Sequence, residues 1–543
     1  MKTRGILWIS AGILIFALFT AWIRLPLVSS SIWMSPDETA NMISAITFAN
    51  EGVFSFSSEI TSKFIWAHPR SFVYVPETNM VAPIGFLGMP LILSFIYKLF
   101  GLIGLNFFVP FLALLTLFPL WKSLPKKWPQ AVKLMTIIIW MSFPSIILYI
   151  NRGAFPQTTQ LCLMIWVWFL ITNSKASTTT TKYYDLFVRF SLPIAGALSG
   201  LALMIRPIEA IWILPVIILA FLSKPTNQAP HSTFDVGRAT SDVRRLTHFL
   251  IPLIFVLLVG AKLGADTYGK WFTSGYQIRP EVIQLATGDS SKVSAESDAV
   301  SIFSALPFSF HPRNIWWNLK NYVIWFFLPW LSLVFGSALI LYKEKFWRDK
   351  SGWSILALAW TPAILVLFYG NGIYQDHVRL NEISIGNSFI RYILPISITF
   401  AVSAGFIFSR LWRHWTLKLF AVCITIGLTS FGLFTATIRD DEGISKVEQE
   451  LISYQKTREA GSKNFPANGI IVSDRSDKIF FPVHLAVSPM PTTSQLQELF
   501  AQGVVMRFYL PTQDEDGLNK WSEQGFTLRP IFTTGNQTLY DTD

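Results

Sequence analysis

Two adjacent carboxylates, Asp37 and Glu38, follow Pro36 and open an amphipathic helix that we predict over residues 38–50. A carboxylate held on a rigid element can act as a general base that deprotonates a hydroxyl or amine nucleophile. Only one carboxylate of the pair need be the base, because the other can orient it or bind the acceptor. The same sequence fits an ordinary helix start, since acidic side chains in a first turn interact favourably with the helix dipole.

Basic side chains that could bind an anion occur in two short loops. Residues 66–71 contain His68 and Arg70 next to a serine, and this group could contact a phosphate or a sugar, or form a plain surface turn. Residues 151–157 contain Arg152, which could neutralise a lipid phosphate or anchor the chain at the membrane interface.

Two further arginines stand at the ends of apolar runs. Arg206 and Glu209 are spaced to pair with each other at the membrane edge, which favours a structural role. Arg391, beside Tyr392, is costly at a membrane edge and therefore predicts an anionic partner. A guanidinium binds phosphate through two parallel hydrogen bonds, so a phosphate is a suitable partner. Polar residues just upstream that could line the same site are Tyr374, Asp376, His377 and Arg379.

Metal and nucleotide signatures are not apparent in the sequence. The seven histidines are scattered, and His68, His311 and His377 do not have the spacing of metal ligands. Phosphate-binding and dinucleotide-binding glycine motifs do not occur in a supporting context. We therefore predict no metal site and no cofactor, and leave the involvement of a divalent cation open.

The composition of the chain predicts the kind of fold that holds these candidate site residues. The chain is 52% hydrophobic and only 14% charged, whereas soluble domains carry about 25% charged residues. Apolar runs of ~18 residues or more recur, which is long enough to cross a bilayer as helices. These runs lack the alternation of barrel strands, so we predict an all-α polytopic membrane protein and exclude a soluble globular enzyme. The net charge of +11 is typical of basic cytoplasmic loops, and we predict no nucleic acid binding.

Twelve apolar segments are candidate spans, and the positive-inside rule selects among them. All short basic loops lie on one side only if the region from residue 82 to residue 121 crosses once. Residues 82–100 contain two prolines, two glycines and a lysine, which favours an interfacial helix. We therefore predict about eleven transmembrane helices in the plasma (cell) membrane, with the N-terminus cytoplasmic and residues 6–28 kept as the first span. The twelve segments are residues 6–28, 82–100, 105–121, 131–150, 158–172, 187–205, 208–222, 249–265, 322–341, 355–370, 389–408 and 417–434.

This topology places two long loops, residues 29–81 and 266–321, and the C-terminal tail on the outer face. Long loops of this kind are commonly functional. We assign residues 1–437 to a transmembrane domain and residues 438–543 to a small extracytoplasmic α/β domain, because the tail is charged and its pattern is that of a soluble domain. Its predicted elements are a helix over 442–460, a strand over 469–473, a helix over 493–501, a strand over 504–510 and a hairpin of 526–533 with 537–540.

The order of these motifs resembles the membrane glycosyltransferases of the C fold, which include protein O-mannosyltransferases and aminoarabinose transferases. Asp37 and Glu38 after the first span resemble the catalytic motif of that family. Residues 197–207 resemble its G-L-A-x-x-x-R-P span end, and residues 391–395 resemble its R-Y-x-x-P element. The resemblance covers most of residues 1–435.

The resemblance implies a polyprenyl- or dolichyl-phosphate sugar donor, with a mannose-like hexose or similar sugar, and a lipid, glycan or protein acceptor. It implies that Asp37 is the general base and that the anomeric configuration inverts. Cationic groups would hold the leaving phosphate: Arg391 is the first choice, followed by Arg152, Arg206, His68 and Arg70. Several relatives carry a second acid in the loop after the third span. Residues 151–157 contain none, so any role of that acid does not carry over to this chain.

Two other functions compete with a glycosyltransferase. A transporter or flippase for a lipid-linked glycan would also be polytopic, but internal repeats and midplane polar groups typical of transporters are not evident here. A ligase that moves whole glycans from a lipid diphosphate would share the outer site. The sequence does not identify the sugar, the acceptor, the carrier lipid or the oligomeric state.

Overall fold

The computed structural model describes residues 31–174, 182–222, 236–278, 310–343, 352–374, 383–439 and 442–542. The predicted first span (6–28), Asp376, His377, Arg379 and much of the predicted outer loop 266–321 lie outside these residues. The described chain is mostly helical and carries a five-stranded mixed sheet near its C-terminus.

The secondary structure elements are numbered here along the described chain. The helices are α1 (Pro36–Glu51), α2 (Glu59–Lys63), α3 (Gly88–Ser123), α4 (Gln130–Met141), α5 (Pro144–Arg152), α6 (Pro156–Asn173), α7 (Lys182–Ile205), α8 (Ala210–Leu222), α9 (Val236–Tyr268), α10 (Pro312–Asn318), α11 (Trp325–Lys343), α12 (Gly352–Tyr369), α13 (Ser388–Tyr392), α14 (Ile396–Leu411), α15 (Trp415–Phe434), α16 (Ile444–Ser462), α17 (Asp477–Phe480), α18 (Thr493–Ala501) and α19 (Glu515–Glu523). The strands are β1 (Phe72–Val75), β2 (Met80–Pro83), β3 (Ile470–Ser473), β4 (Leu485–Val487), β5 (Met506–Pro511), β6 (Leu528–Thr534) and β7 (Gln537–Thr542).

The described residues fall into two compact units. The first unit takes them from the ranges Val109–Val259 and Ala299–Lys446, and the second from Arg24–Phe108, Gly260–Asp298 and Val447–Asp543. Arg152, Arg206 and Arg391 thus belong to the first unit. Asp37 and the C-terminal sheet belong to the second.

Long apolar helices make the chain a multi-pass membrane protein. Among the described residues, four helices are long and apolar enough to cross a bilayer, and they begin at Gly88, Val243, Pro312 and Trp415. The bent pair α4–α5 is a fifth candidate. Shorter apolar helices add to the membrane part, and the total of eleven crossings and their orientation stay predictions.

Two predicted segments have different boundaries in the structure. Residues 82–100 and 105–121 both fall on α3, which begins only at Gly88, after β2, and is interrupted at Gly101 (φ 61°, ψ −153°). Glycine adopts this positive φ because it has no Cβ. The interfacial position of residues 82–100 stays a prediction.

The predicted span 131–150 is not one straight helix. It consists of α4 and α5, which are bent by 60° at the break between them. Pro144 opens α5, and proline ends a preceding helix because it lacks a backbone N–H and clashes with the carbonyl four residues earlier.

Close packing joins α7 to α9 within the first unit. A Cβ placed on Gly196 would lie 2.0 Å from the Phe249 carbonyl oxygen, and one on Gly200 would lie 2.8 Å from the Leu253 carbonyl oxygen. Two glycines four residues apart thus let the helix backbones approach, as is common between membrane helices.

The C-terminal sheet has the strand order β4-β3-β5-β7-β6. Strand β3 is parallel to β4 and β5, whereas β7 is antiparallel to β5 and β6. The predicted elements are confirmed as α16, β3, α18, β5 and the hairpin of β6 with β7. Strand β4 and helices α17 and α19 were not predicted. Strand β4 and helix α17 have only three and four residues, which is too few for a periodic pattern, and α19 contains only Leu518 and Trp521 as apolar side chains.

Candidate active site

Helix α1 begins with a capping box that uses one of the two adjacent acids. The Ser35 hydroxyl accepts a hydrogen bond from the Asp37 backbone N–H at 3.3 Å, and the Glu38 carboxylate accepts one from the Ser35 backbone N–H at 3.1 Å. This reciprocal arrangement satisfies backbone donors at the helix start. Glu38 is buried, whereas Asp37 is partly exposed. These contacts support the helix-start interpretation for Glu38, whose catalytic role stays a prediction.

The Asp37 carboxylate is oriented by a residue from the same loop, residues 29–81. The Ser71 hydroxyl donates a hydrogen bond to Asp37 Oδ1 at 3.1 Å. Helix α1 holds the backbone of Asp37 and Ser71 holds its side chain. A partly exposed carboxylate fixed in this way can act as a general base when the acceptor lies within hydrogen-bond reach of it.

His68 and Arg70 make local and structural contacts in the second unit. The His68 ring lies with Nδ1 3.0 Å from the Pro69 carbonyl oxygen. The Arg70 backbone N–H donates to Asp477 Oδ2 at 2.9 Å, and its guanidinium donates to the Arg475 carbonyl oxygen at 3.4 Å. Arg70 thus binds the C-terminal part of its own unit, so these contacts favour a structural role over phosphate binding.

Arginines and aromatic rings form a cluster in the first unit. The Arg391 guanidinium carbon lies 4.3 Å from the ring centre of Phe155 and 5.3 Å from that of Tyr392. The Arg206 guanidinium lies 4.6 Å from the ring centre of Tyr392. Arg152 lies 4.8 Å from that of Phe155. We call these five residues the arginine–aromatic cluster.

A buried carboxylate holds one guanidinium of this cluster. Glu209, 2% exposed, lies 3.5 Å from Arg206 Nε. It also accepts hydrogen bonds from Trp212 Nε1 and the Tyr369 hydroxyl, each at 2.5 Å. The Tyr369 ring stacks on Tyr392 with the ring centres 4.6 Å apart. The ion pair predicted between Arg206 and Glu209 is therefore confirmed. Tyr369 connects it to the arginine–aromatic cluster, because its hydroxyl binds Glu209 and its ring stacks on Tyr392.

The chemistry of the arginine–aromatic cluster suits an anion. Its three guanidiniums and the carboxylate of Glu209 give a formal excess of positive charge. Guanidiniums stacked on aromatic faces keep their N–H edges directed sideways, where they can donate to carboxylate or phosphate oxygens. Aromatic packing also fixes the planes of these groups before a ligand arrives.

The structure divides the predicted site residues between the two units. Asp37, Glu38, His68 and Arg70 belong to the second unit, and the structure joins Asp37 to the loop of Arg70 through Ser71. The first unit contains the other predicted residues, namely Arg152, Arg206, Arg391 and Tyr392, and the structure brings these four together around shared rings.

Three contributing residues were not predicted from the sequence. The Phe155 ring contacts the guanidiniums of Arg152 and Arg391. The Tyr369 hydroxyl donates to the Glu209 carboxylate, and the Asp477 carboxylate accepts from the Arg70 backbone N–H. Asp477 lies 407 residues from Arg70 along the chain, so no local pattern indicates this contact. In the part of the chain that the structure describes, no group of three or more His, Cys, Asp or Glu side chains could hold a metal ion.

Comparison with known proteins relates the fold of this chain to solved structures. No family model and no curated protein matches the sequence. The fold matches ArnT from Cupriavidus metallidurans bound to undecaprenyl phosphate with a TM-score of 0.56 and 11% identity, covering 98% of each chain. It matches ArnT in the apo state with a TM-score of 0.52 and 12% identity, covering 96% of this chain and 97% of that one.

A third solved structure is similar at a lower score. The oligosaccharyltransferase of Archaeoglobus fulgidus in its apo form gives a TM-score of 0.47 with 12% identity, covering 93% of this chain and 69% of that chain. The match to ArnT over nearly the full length establishes the fold. This chain therefore has the same fold as ArnT, in agreement with the fold that its motifs predicted.

Proposed function

We propose that this chain is an integral-membrane glycosyltransferase that transfers a sugar from a polyprenyl- or dolichyl-phosphate donor to an acceptor at the outer face of the cell membrane. The acceptor is a lipid, glycan or protein. The observation that carries the proposal is the partly exposed Asp37 carboxylate, held by α1 and by the Ser71 hydroxyl. The fold shared with ArnT supports the same class of reaction.

Asp37 is proposed as the general base. Its carboxylate takes the proton from the acceptor hydroxyl or amine while the acceptor oxygen or nitrogen attacks the anomeric carbon of the sugar. The bond between this carbon and the phosphate oxygen breaks, and its electron pair leaves with the lipid phosphate. Attack from the opposite face inverts the anomeric configuration. The products are the glycosylated acceptor and the lipid phosphate, with the proton on Asp37.

The arginine–aromatic cluster is proposed to bind the donor phosphate. Arg391 is the main contact because it is buried, touches both Phe155 and Tyr392, and receives a fixed orientation from Ser388, whose hydroxyl lies 3.0 Å from Nη2. Preorganised donors stabilise charge that develops on a leaving phosphate. That a similarly folded structure, ArnT, is bound to undecaprenyl phosphate supports a lipid phosphate as the ligand.

Several finer points rest on the family resemblance or on the charge pattern of the loops and the tail. A mannose-like hexose as the sugar, an N-terminus in the cytoplasm and an extracytoplasmic domain over residues 438–543 are parts of the proposal. His68 and Arg70 are secondary candidates for sugar or phosphate contact.

The test uses the purified full chain reconstituted in lipid, with radiolabelled polyprenyl-phosphate-mannose or polyprenyl-phosphate-glucose and membrane extract as the source of acceptors. We expect transfer by the native protein and a loss of about a hundredfold or more in Asp37→Asn. The matched control is Glu51→Gln, an exposed acid at the other end of the same helix, which should transfer normally.

Each other result contradicts a defined part of the proposal. Full activity in Asp37→Asn would reject this residue as the base and leave the enzyme class standing. No transfer from either donor, together with movement of the labelled lipid across the bilayer, would favour the flippase.

A further inference from the structure

We propose that the C-terminal sheet domain positions the catalytic base, and that Asp477 is the positioning residue that acts on Asp37 through residues 70 and 71. The inference rests on the proposed role of Asp37. All residues involved belong to the second unit, although Asp37 and Asp477 lie at opposite ends of the sequence.

The first connection fixes the backbone of Arg70. Asp477, whose side chain is 3% exposed, accepts a hydrogen bond from the Arg70 backbone N–H at 2.9 Å, and its other oxygen lies 3.9 Å from Arg70 Nε. A hydrogen bond from a backbone N–H to a buried carboxylate is charge-assisted and stronger than a neutral one. Asp477 therefore holds the backbone one residue before Ser71.

The second connection holds the residues after Ser71. The Ser71 carbonyl oxygen accepts a hydrogen bond from the Ile84 backbone N–H at 3.0 Å. Strand β1 begins at the next residue, Phe72. The Phe72 ring lies 5.0 Å from the ring of Phe481, which directly follows α17. The hydroxyl that orients Asp37 is thus fixed on one side by Asp477 and on the other by the β1–β2 hairpin.

A third connection binds the segment that leads into α1. The Lys478 ammonium donates to the Met34 carbonyl oxygen. Arg458 on α16 donates to the Ser31 hydroxyl at 2.9 Å, and Ile32 packs against apolar residues of α16. Helices α16 and α17 therefore contact the backbone just before Asp37 as well as the loop that orients its side chain.

The packing of the sheet shows that the outer loop is part of the same body. Phe64 and Ala67 belong to one buried core with the strands β3, β5 and β7. The Ser488 backbone N–H donates to the His68 carbonyl oxygen at 3.3 Å. Residues 64–71 therefore pack as part of the sheet domain, and a displacement of the sheet would displace Ser71.

Three variants in the reconstituted full chain test this inference. We expect Asp477→Ala to lower kcat by about ten- to a hundredfold, because small misplacements of a reacting group cost this much, with the donor KM unchanged. Asp477→Asn should retain most of the activity because its amide oxygen still accepts from the Arg70 N–H. The matched control is Asp541→Ala, which breaks the ion pair with Arg507 inside the same sheet and should leave kcat unchanged.

A double-mutant cycle separates positioning from loss of folding. Ser71→Ala and Asp477→Ala should be non-additive, because both act through the same hydroxyl. If Asp477→Ala does not fold, Lys478→Met tests the connection to Met34, and an unchanged kcat in Lys478→Met overturns the inference. Native kcat in Asp477→Ala, or additive effects with Ser71→Ala, overturns it as well. Failure of the proposed function is recognised separately, because the native chain would then transfer no sugar, or Asp37→Asn would be fully active.

Discussion

The Ser71 hydroxyl donates a hydrogen bond to the Asp37 carboxylate at 3.1 Å, and so joins two segments of the loop 29–81 that are 34 residues apart. Helix α1 also holds Asp37 through its backbone, because this residue lies in the first turn of the helix. The bond selects one direction for a carboxylate whose neighbour, Glu38, is used to cap the helix. The proposed base and the helix cap thus lie next to each other in sequence but have different surroundings.

Removal of this donor is the most direct probe of the base. We expect Ser71→Ala to lower kcat by about tenfold or more, because a hydrogen bond to a charged group contributes roughly 1.5–3 kcal/mol. Steady-state transfer from the lipid-phosphate donor measures the effect. Ser62→Ala is the control, since Ser62 lies in the same loop and donates to the Glu59 carbonyl oxygen. Equal rates in both variants would contradict an orienting role for Ser71.

Arg391 is expected to act through its planar shape as well as its charge. Arg391→Lys keeps the charge but loses stacking on Phe155 and Tyr392 and the two-pronged contact with phosphate. We expect kcat/KM for the donor to fall by about tenfold or more, since stacking and charged hydrogen bonds together exceed roughly 1.4 kcal/mol. Arg410→Lys provides the control, because Arg410 lies over the Phe406 ring in the last turn of α14, whereas Arg391 lies on α13. Native kinetics in Arg391→Lys would reject the cluster as the phosphate site.

The glycines between α7 and α9 should be sensitive to any side chain. Gly196→Ala places a Cβ against the Phe249 carbonyl oxygen, and such overpacking destabilises by about 1–3 kcal/mol. We expect a lower thermal unfolding midpoint in detergent. Gly427→Ala has open space around its Cβ and should be neutral or slightly stabilising, because alanine favours helices by up to about 1 kcal/mol. Similar midpoints for the two variants would argue against this close helix contact.

His484 should make the stability of the second unit depend on pH. Burial lowers the pKa of His484 below its ordinary value of 6.5, and the nearby Arg507 and Arg458 guanidiniums lower this pKa further. Below pH 6.5 the unfolded chain therefore binds more protons at this position than the folded chain. The contribution of His484 to the free energy of unfolding is thus fully present above this pH and decreases as the pH falls.

The variant His484→Gln checks the sign of this effect. Glutamine does not titrate and can keep the hydrogen bond to Ser462, which lies 3.1 Å from the ring in the native protein. We expect the thermal midpoint of the native chain to fall more steeply from pH 7 to pH 5 than that of His484→Gln. Parallel profiles would show that His484 does not titrate differently on folding.

The sequence by itself determined the class of protein and most of its local elements. Apolar runs predict membrane helices because a buried backbone in lipid must form its own hydrogen bonds. In the tail, periodic segments such as residues 493–501 and 537–540 correspond to α18 and β7 because these patterns are local. The motifs around Asp37, Arg206 and Arg391 indicated the C fold for the same reason: each is a short run of residues.

Only the tertiary structure decided which residues act together. Arg70 is bound by Asp477, which is 407 residues away, and Glu209 is bound by Tyr369, which is 160 residues away. No periodicity encodes such pairs, because they depend on how separate elements pack after they have formed. From the residues alone either acid of the pair Asp37 and Glu38 could be the base, and only the family resemblance singled out Asp37. The two acids are chemically alike, and the capping box and the Ser71 hydroxyl give them different environments.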